Sequence, residues 1–241
     1  MNKLVLPLPS LQGFSDHDRT APGLGRSISE NIQHYARRRW SIKRLFDLAF
    51  AIFFLILFFP IFAILGCAVF IADGAPVFYA HPRVGRNGKT FRCLKFRTMC
   101  RDADRVLMDV LRNDQVALRE WNQKRKLSAD PRVIGRVGWF LRKSSLDELP
   151  QIINVLRGDM SLVGPRPVME SELPLYGPGA DVYMSIRPGL TGAWQVGGRS
   201  ETLFEERVRL DVDYALNGSL STDVRILIRT VYVVALGRGA C

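Results

Sequence analysis

The sequence predicts an α+β, monotopic membrane protein: a membrane helix broken at a proline, then a small, mostly helical domain with one short β-hairpin. Three observations predict it. Residues 48–72, "LAFAIFFLILFFPIFAILGCAVFIA", are uncharged and apolar, with Pro60 at their middle. Residues 76–99, "PVFYAHPRVGRNGKTFRCLKFRTM", place Asn87-Gly88 between two strand-like runs, and that dipeptide accepts the positive φ of a tight hairpin turn. Beyond them, apolar residues recur at helical spacing.

The 241 residues suffice for one good-sized domain plus an appendage. Residues 1–40 mix Pro, Gly, Ser and scattered charges, ending in "RRRW", and read as a flexible basic tail. The opening "MNKLVLPLP" resembles a signal peptide only superficially, because Pro7 and Pro9 interrupt its short apolar stretch. Residues 41–75 are assigned to the membrane. Each half of the run, on either side of Pro60, covers about 18 Å of helix, less than the roughly 30 Å of a hydrocarbon core. Arg37, Arg38, Arg39, Lys43 and Arg44 precede the run, and Arg83, Arg86, Lys89, Arg92, Lys95, Arg97 and Arg101 follow it. Basic flanks prefer the cytoplasmic side. A helix bent at Pro60, entering and leaving by one face, satisfies both; a single-pass helix with a tolerated proline is the alternative.

Residues 76–241 form the expected cytosolic domain. "GRNGKT" is not a phosphate-binding P-loop, because position 83 holds Arg where that motif needs Gly. From residue 102 to about 126, Val106, Leu107, Val110 and Leu111 predict one amphipathic packing helix. "RPGLTG" offers Gly189 and Gly192 as turn-forming or phosphate-approaching residues. In "DVRILIRTVYVVALGRG", Arg225 and Arg229 interleave with an apolar face; an interfacial helix on anionic lipid and a core helix are both consistent with it.

Lys and Arg number 34 against 23 Asp and Glu, a formal net charge of +11, so the partners are anionic. The apolar run favours acidic lipid over nucleic acid, and the aromatic and basic modules of RNA binders are absent. Four cysteines without a CxxC pair indicate neither a zinc site nor a disulfide framework, and three histidines leave little for a Ser-His-Asp triad. The chemistry falls to carboxylates and cations.

Residues 141–167, "LRKSSLDELPQIINVLRGDMSLVGPRP", pair Asp147 with Glu148 just before Pro150. Ser145 and Glu148 match a capping box, or the helix starts near Pro150 and stops at Gly158. Either puts both carboxylates at a helix N-terminus, where they stay ionised and where phosphate is attracted. An ionised Asp can attack phosphorus if cations relieve the repulsion. Lys95, Arg142, Arg166 and Arg199 supply them. Helix capping without catalysis, in a membrane-anchored basic scaffold that binds anionic lipid, is the competing reading.

"KFRTM", the 141–167 stretch and "RPGLTGAWQVGGR" together resemble the bacterial polyprenyl-phosphate hexose-1-phosphate transferases, the monotopic phosphoglycosyl transferases that start exopolysaccharide assembly. The resemblance runs from about Ser41 to the C-terminus. It implies that Asp147 attacks the sugar-bearing phosphate of a UDP-sugar, releasing UMP and leaving a covalent phosphosugar, which undecaprenyl phosphate then accepts. It also implies that Glu148 holds Mg²⁺, that Lys95, Arg142, Arg166 and Arg199 meet phosphate or nucleotide, and that the enzyme sits in the bacterial inner membrane facing the cytoplasm. The hairpin and "ADRVL" are most similar to members that transfer galactose phosphate, with glucose next. Many relatives carry Ser-Pro at the helix break, whereas Phe59 precedes Pro60 here. Oligomeric state is not legible.

Overall fold

The computed structural model describes residues 24–124, 127–197 and 204–235. It divides into two units, Met1–Ile42 and Lys43–Cys241. Of the first, the described part is the helical stretch 24–42, so helix α1 (Leu24–Asp73) begins inside the expected tail. After Pro22 the sequence has no proline before Pro60, and nothing there blocks helical geometry.

The segment Ile42–Asp73 makes a helix long and apolar enough to cross a membrane. Pro60 lies inside continuous helix, so the break expected there is not confirmed; a proline removes one backbone hydrogen bond, and the turns on both sides carry the helix across it. Ile52, Phe53, Ile56, Leu57, Phe59, Ile64 and Ile71 are exposed. On the other side Leu65 and Val69 form a buried cluster with Phe96 and Leu141, onto which Leu146 and Leu149 pack. This cluster ties the apolar helix to the loop that carries the two carboxylates.

Two basic residues expected to flank the membrane bind the protein's own backbone, Arg97 from a buried position and Arg101 from an exposed one. Arg97 donates to the Asp73 and Gly74 carbonyls (2.9 and 2.6 Å), and Arg101 to the Asp73 carbonyl (3.1 Å). They satisfy the carbonyls that every helix C-terminus leaves unpaired.

The hairpin forms as expected. Strands β1 (Phe78–Val84) and β2 (Thr90–Phe96) pair antiparallel with Tyr79 opposite Lys95. Asn87 (φ 59°) and Gly88 (φ 71°) make the turn. The amphipathic stretch beyond is two helices, not one: α2 (Ala103–Asn113) and α3 (Gln115–Lys124). Asp114 is extended, and its Oδ1 accepts from the Val116 and Ala117 amides (2.8 and 3.1 Å). A side chain that caps a new helix has won over the continuing periodicity.

Helix α4 (Gly135–Ser144) ends at Ser145 in the left-handed region (φ 57°). A 3₁₀ turn, Leu146–Glu148, leads into α5 (Gln151–Arg157). Ser145 makes no side-chain cap bond, and Gly158 (φ 91°) ends α5; of the two starts considered, the one at Pro150 is found. Arg44 donates to the Val155 and Leu156 carbonyls (2.6 and 3.0 Å), capping that same end.

Strands β3 (Ser161–Val163) and β4 (Gly189–Thr191) pair parallel. Here the reading of Gly189 and Gly192 is corrected. Neither has positive φ; a Cβ on either would strike the Gly164 backbone, so both are glycine because two chain segments touch there. Helices α6 (Gly179–Ser185), α7 (Ala193–Gly197), α8 (Phe204–Asn217) and α9 (Leu220–Ala235) complete the described chain. A second core joins Val84, Val168, Tyr176 and Tyr183, with Phe204 and Val208 packed against it. Helix α9 buries Asp223 and Ile226 while exposing Val224, Ile228, Val231 and Tyr232. Its apolar stripe faces outward.

Candidate active site

Asp147 and Glu148 occupy the 3₁₀ turn between α4 and α5. The left-handed Ser145 reverses the chain after α4, and Leu146 and Leu149, partly buried, pack against the core on either side of the two carboxylates and anchor their turn. Helix α5 is fixed to β2 by Asn154, whose Oδ1 accepts from the Leu94 amide (2.9 Å) and whose Nδ2 donates to the Arg92 carbonyl (2.8 Å). The next residue of β2 is Lys95.

Lys95 joins the pair. Its Nζ donates to Glu148 Oε1 at 2.6 Å and lies 3.6 Å from Asp147 Oδ2. Arg166 Nη1 is 3.9 Å from Glu148 Oε1. The Asp147 side chain is 14% exposed and that of Glu148 25%. Burial pushes the Asp147 carboxyl above the ordinary carboxylate range; the Lys95 ammonium pulls it down, Glu148 pushes it up and Arg142 pulls it down again. The structure therefore brings Asp147, Glu148, Lys95, Arg142 and Arg166 together. Arg199 lies outside the described residues.

Arg166 stands on a rigid base. The Gly164 amide donates to the Thr191 carbonyl (2.9 Å), the Gly189 amide to the Pro165 carbonyl (2.8 Å), and the Val84 amide to the Val168 carbonyl (2.9 Å). Its guanidinium lies 5.7 Å from the Trp194 ring centroid, and Arg207 lies 5.0 Å from the same ring. Arg207 faces Asp211 at 3.9 Å, and Asp211 accepts from the Tyr176 hydroxyl (2.8 Å). Burial holds the Asp211 carboxyl up at about 7. Asp211 is a buried anchor on α8. Asp159 accepts from Asn154 Nδ2 (3.1 Å) and belongs to the same scaffolding.

Among the described residues no cluster of three or more acidic, His or Cys side chains forms a metal cage. The dyad nevertheless suits a hard cation that keeps waters and takes substrate phosphate oxygens, since such ions are bound by one or two carboxylates plus phosphate.

Residues 38–237 match the family described as bacterial sugar transferase. The chain belongs to that family. This sugar transferase is 49% identical over 198 residues to the exopolysaccharide production protein ExoY of Sinorhizobium fredii, covering 82% of this chain and 87% of that protein. It is 48% identical over 213 residues to a UDP-galactose-lipid carrier transferase of Erwinia amylovora, covering 88% of this chain and 44% of the relative. It is also 46% identical over 211 residues to an undecaprenyl-phosphate galactose phosphotransferase of Salmonella typhimurium, covering 87% and 44% respectively.

The sequence reading of this sugar transferase left Arg83, Trp194 and Arg207 out of the site. Arg83 was one cation in a basic flank, and only the bridge between Val84 and Val168 brings it near Arg166. Nothing local in the sequence marks that pairing.

Proposed function

We propose that the protein transfers a hexose 1-phosphate from a UDP-sugar to undecaprenyl phosphate in the bacterial inner membrane, with the catalytic domain facing the cytoplasm, as the first step of exopolysaccharide repeat-unit assembly. The observation that carries this reading is the Asp147-Glu148 turn, held between core leucines and bridged by Lys95. An Asp147 oxygen attacks the sugar-bearing phosphorus. The bond from that phosphorus to the bridging oxygen breaks, and UMP leaves with the oxygen and its electron pair. An oxygen of undecaprenyl phosphate then attacks the aspartyl-phosphosugar and frees the carboxylate. Lys95, Arg142, Arg166 and Arg199 offset the phosphate charge. Glu148, beside Asp147, would hold Mg²⁺, which supplies charge neutralisation on the diphosphate when bound. Galactose is the proposed sugar, since two relatives are a UDP-galactose-lipid carrier transferase and an undecaprenyl-phosphate galactose phosphotransferase. The test is incubation with UDP-galactose and UDP-glucose, reading UMP release and added sugar-phosphate mass on the protein. Absence of both sinks the proposal.

The capping box that a headgroup-binding scaffold would use the dyad for is not formed, because Ser145 makes no side-chain cap bond. The re-entrant path of residues 41–75 remains part of the proposal, supported by Pro60 and by basic residues on both flanks, with the outward apolar stripe of α9 resting on anionic lipid. In cells carrying single reporter cysteines near Arg38 and Arg86, both are expected to resist an impermeant reagent applied from the periplasm. Labelling of one site alone would show a single-pass helix.

The electrostatics of Asp147 give a pH prediction. Attack needs the ionised carboxylate, and burial raises its pKa, so adduct formation is expected to fall as pH drops, starting above the ordinary Asp value of about 3.9. Lys95→Met removes the leading counter-charge, which raises that pKa further and moves the acid limb to higher pH. Initial adduct rates from roughly pH 4 to 8, by mass spectrometry, check this. An unmoved limb would mean that Lys95 does not set the ionisation of Asp147.

A further inference from the structure

The cations around the dyad fall into two pairs, and one member has no role in the reading above. Lys95 and Arg142 act on Asp147. On the Glu148 side Arg166 stands with Arg83, a residue near the end of β1. The bridge from Val84 to Val168 lays that end of β1 against the chain that carries Arg166. Arg83 Nη1 thereby reaches the carbonyl of Pro167, the residue that follows Arg166.

Arg83 is poorly satisfied for a group whose side chain is only 18% exposed. Its Nη1 donates to the Pro167 carbonyl and to Glu172 Oε2, both at 3.4 Å, the weak end of hydrogen bonding. Glu172 Oε2 is already engaged by the Met169 amide at 2.7 Å. Among the described residues, Arg83 Nε and Nη2 have no protein partner, and neither is sealed from solvent. A guanidinium with an open edge, beside a second one, matches a phosphate.

We infer that Arg83, with Arg166, binds the nucleotide-side phosphate of the donor, the one that departs, while Lys95 and Arg142 meet the phosphate that Asp147 attacks. This rests on the UDP-sugar reading above. A diphosphate diester needs a cationic subsite for each phosphate, and the departing one gains negative charge as the bridging bond breaks and the electron pair goes with it. Arg83 then contributes most where charge develops, which is the condition for speeding departure.

The test uses the full chain in lipid nanodiscs, with UMP and uridine as probes in calorimetric titrations. Arg83→Gln is expected to weaken UMP binding by about tenfold or more, the worth of a charge-assisted hydrogen bond, and to leave uridine binding unchanged. Arg83→Lys should recover part of the loss. Glu172→Gln separates ligand binding from a strut between β1 and residues 167–172: it is expected to keep UMP binding within about threefold. UMP affinity unchanged in Arg83→Gln, equal weakening of UMP and uridine, or loss of UMP binding in Glu172→Gln would each overturn the inference. A wild type that releases UMP from a UDP-sugar while Arg83→Gln binds UMP normally leaves the proposed reaction standing and removes only Arg83. A wild type that neither binds nor releases UMP removes both.

Discussion

Asp147→Asn is expected to carry no phosphosugar at any Mg²⁺ concentration, and its UMP release should fall by on the order of 10⁴ or more, as when a member of a covalent catalytic unit is deleted. The substitution keeps size and polarity, so Leu146 and Leu149 still hold the turn in the core, and the fold should survive. What disappears is the anion. Glu148→Gln has a different expected result. Its carboxylate receives Lys95 at 2.6 Å, so the change loosens that lysine and weakens charge neutralisation at the transferring phosphate. The nucleophile stays. The loss should be smaller than that of Asp147→Asn and partly recovered as Mg²⁺ rises. Intact-protein mass spectrometry with a UDP-sugar should show the adduct on the wild type and slowly on Glu148→Gln. An Asp147→Asn protein that carries the sugar-phosphate mass, or that releases UMP at the wild-type rate, would remove Asp147 from its assigned role.

What the sequence disclosed follows the range of the interactions involved. The hairpin was legible because Asn87-Gly88 sets its own backbone, and the dyad because its turn, its flanking leucines and Pro150 are contiguous. Asp114 splits the helical stretch through a local cap, a signal that the unbroken apolar period outweighed. Gly189 and Gly192 were misjudged because the reason for each is the backbone of Gly164, more than twenty residues away in the chain. Arg83 and Lys43 read as flank charges for the same reason: only the folded chain supplies Pro167 and Glu172 to one and Asp223 to the other. The bend expected at Pro60 is not found, because helix α1 runs through that residue.

Lys43→Met is expected to be among the most destabilising single changes in the molecule. Lys43 was read as part of the membrane-flanking basic cluster, yet it is 2% exposed. Its Nζ donates to Asp223 Oδ2 at 2.8 Å and lies 3.8 Å from Asp47 Oδ1. Asp47 in turn accepts from Ser161 Oγ (2.8 Å) and the Leu162 amide (3.2 Å), and Asp223 from the Tyr214 hydroxyl (2.6 Å). The ammonium thus ties α1 to α9, and Asp47 beside it ties α1 to β3. Methionine fills the space but leaves two buried carboxylates without their cation, and removing one partner of such a group costs about 3–5 kcal/mol. For a unit of this size that corresponds to roughly 6–20 °C in Tm. Adding Asp223→Asn removes one stranded charge, so Lys43→Met/Asp223→Asn should be more stable than Lys43→Met alone. Exposed Lys89 supplies the contrast, because Lys89→Met should stay within about 0.5 kcal/mol. Thermal unfolding in nanodiscs measures all three. If Lys43→Met melts with the wild type, the buried network does not hold the membrane helix to the domain. If it melts early, activity should be lost with the fold, because β3 leads directly into the segment that displays Arg166.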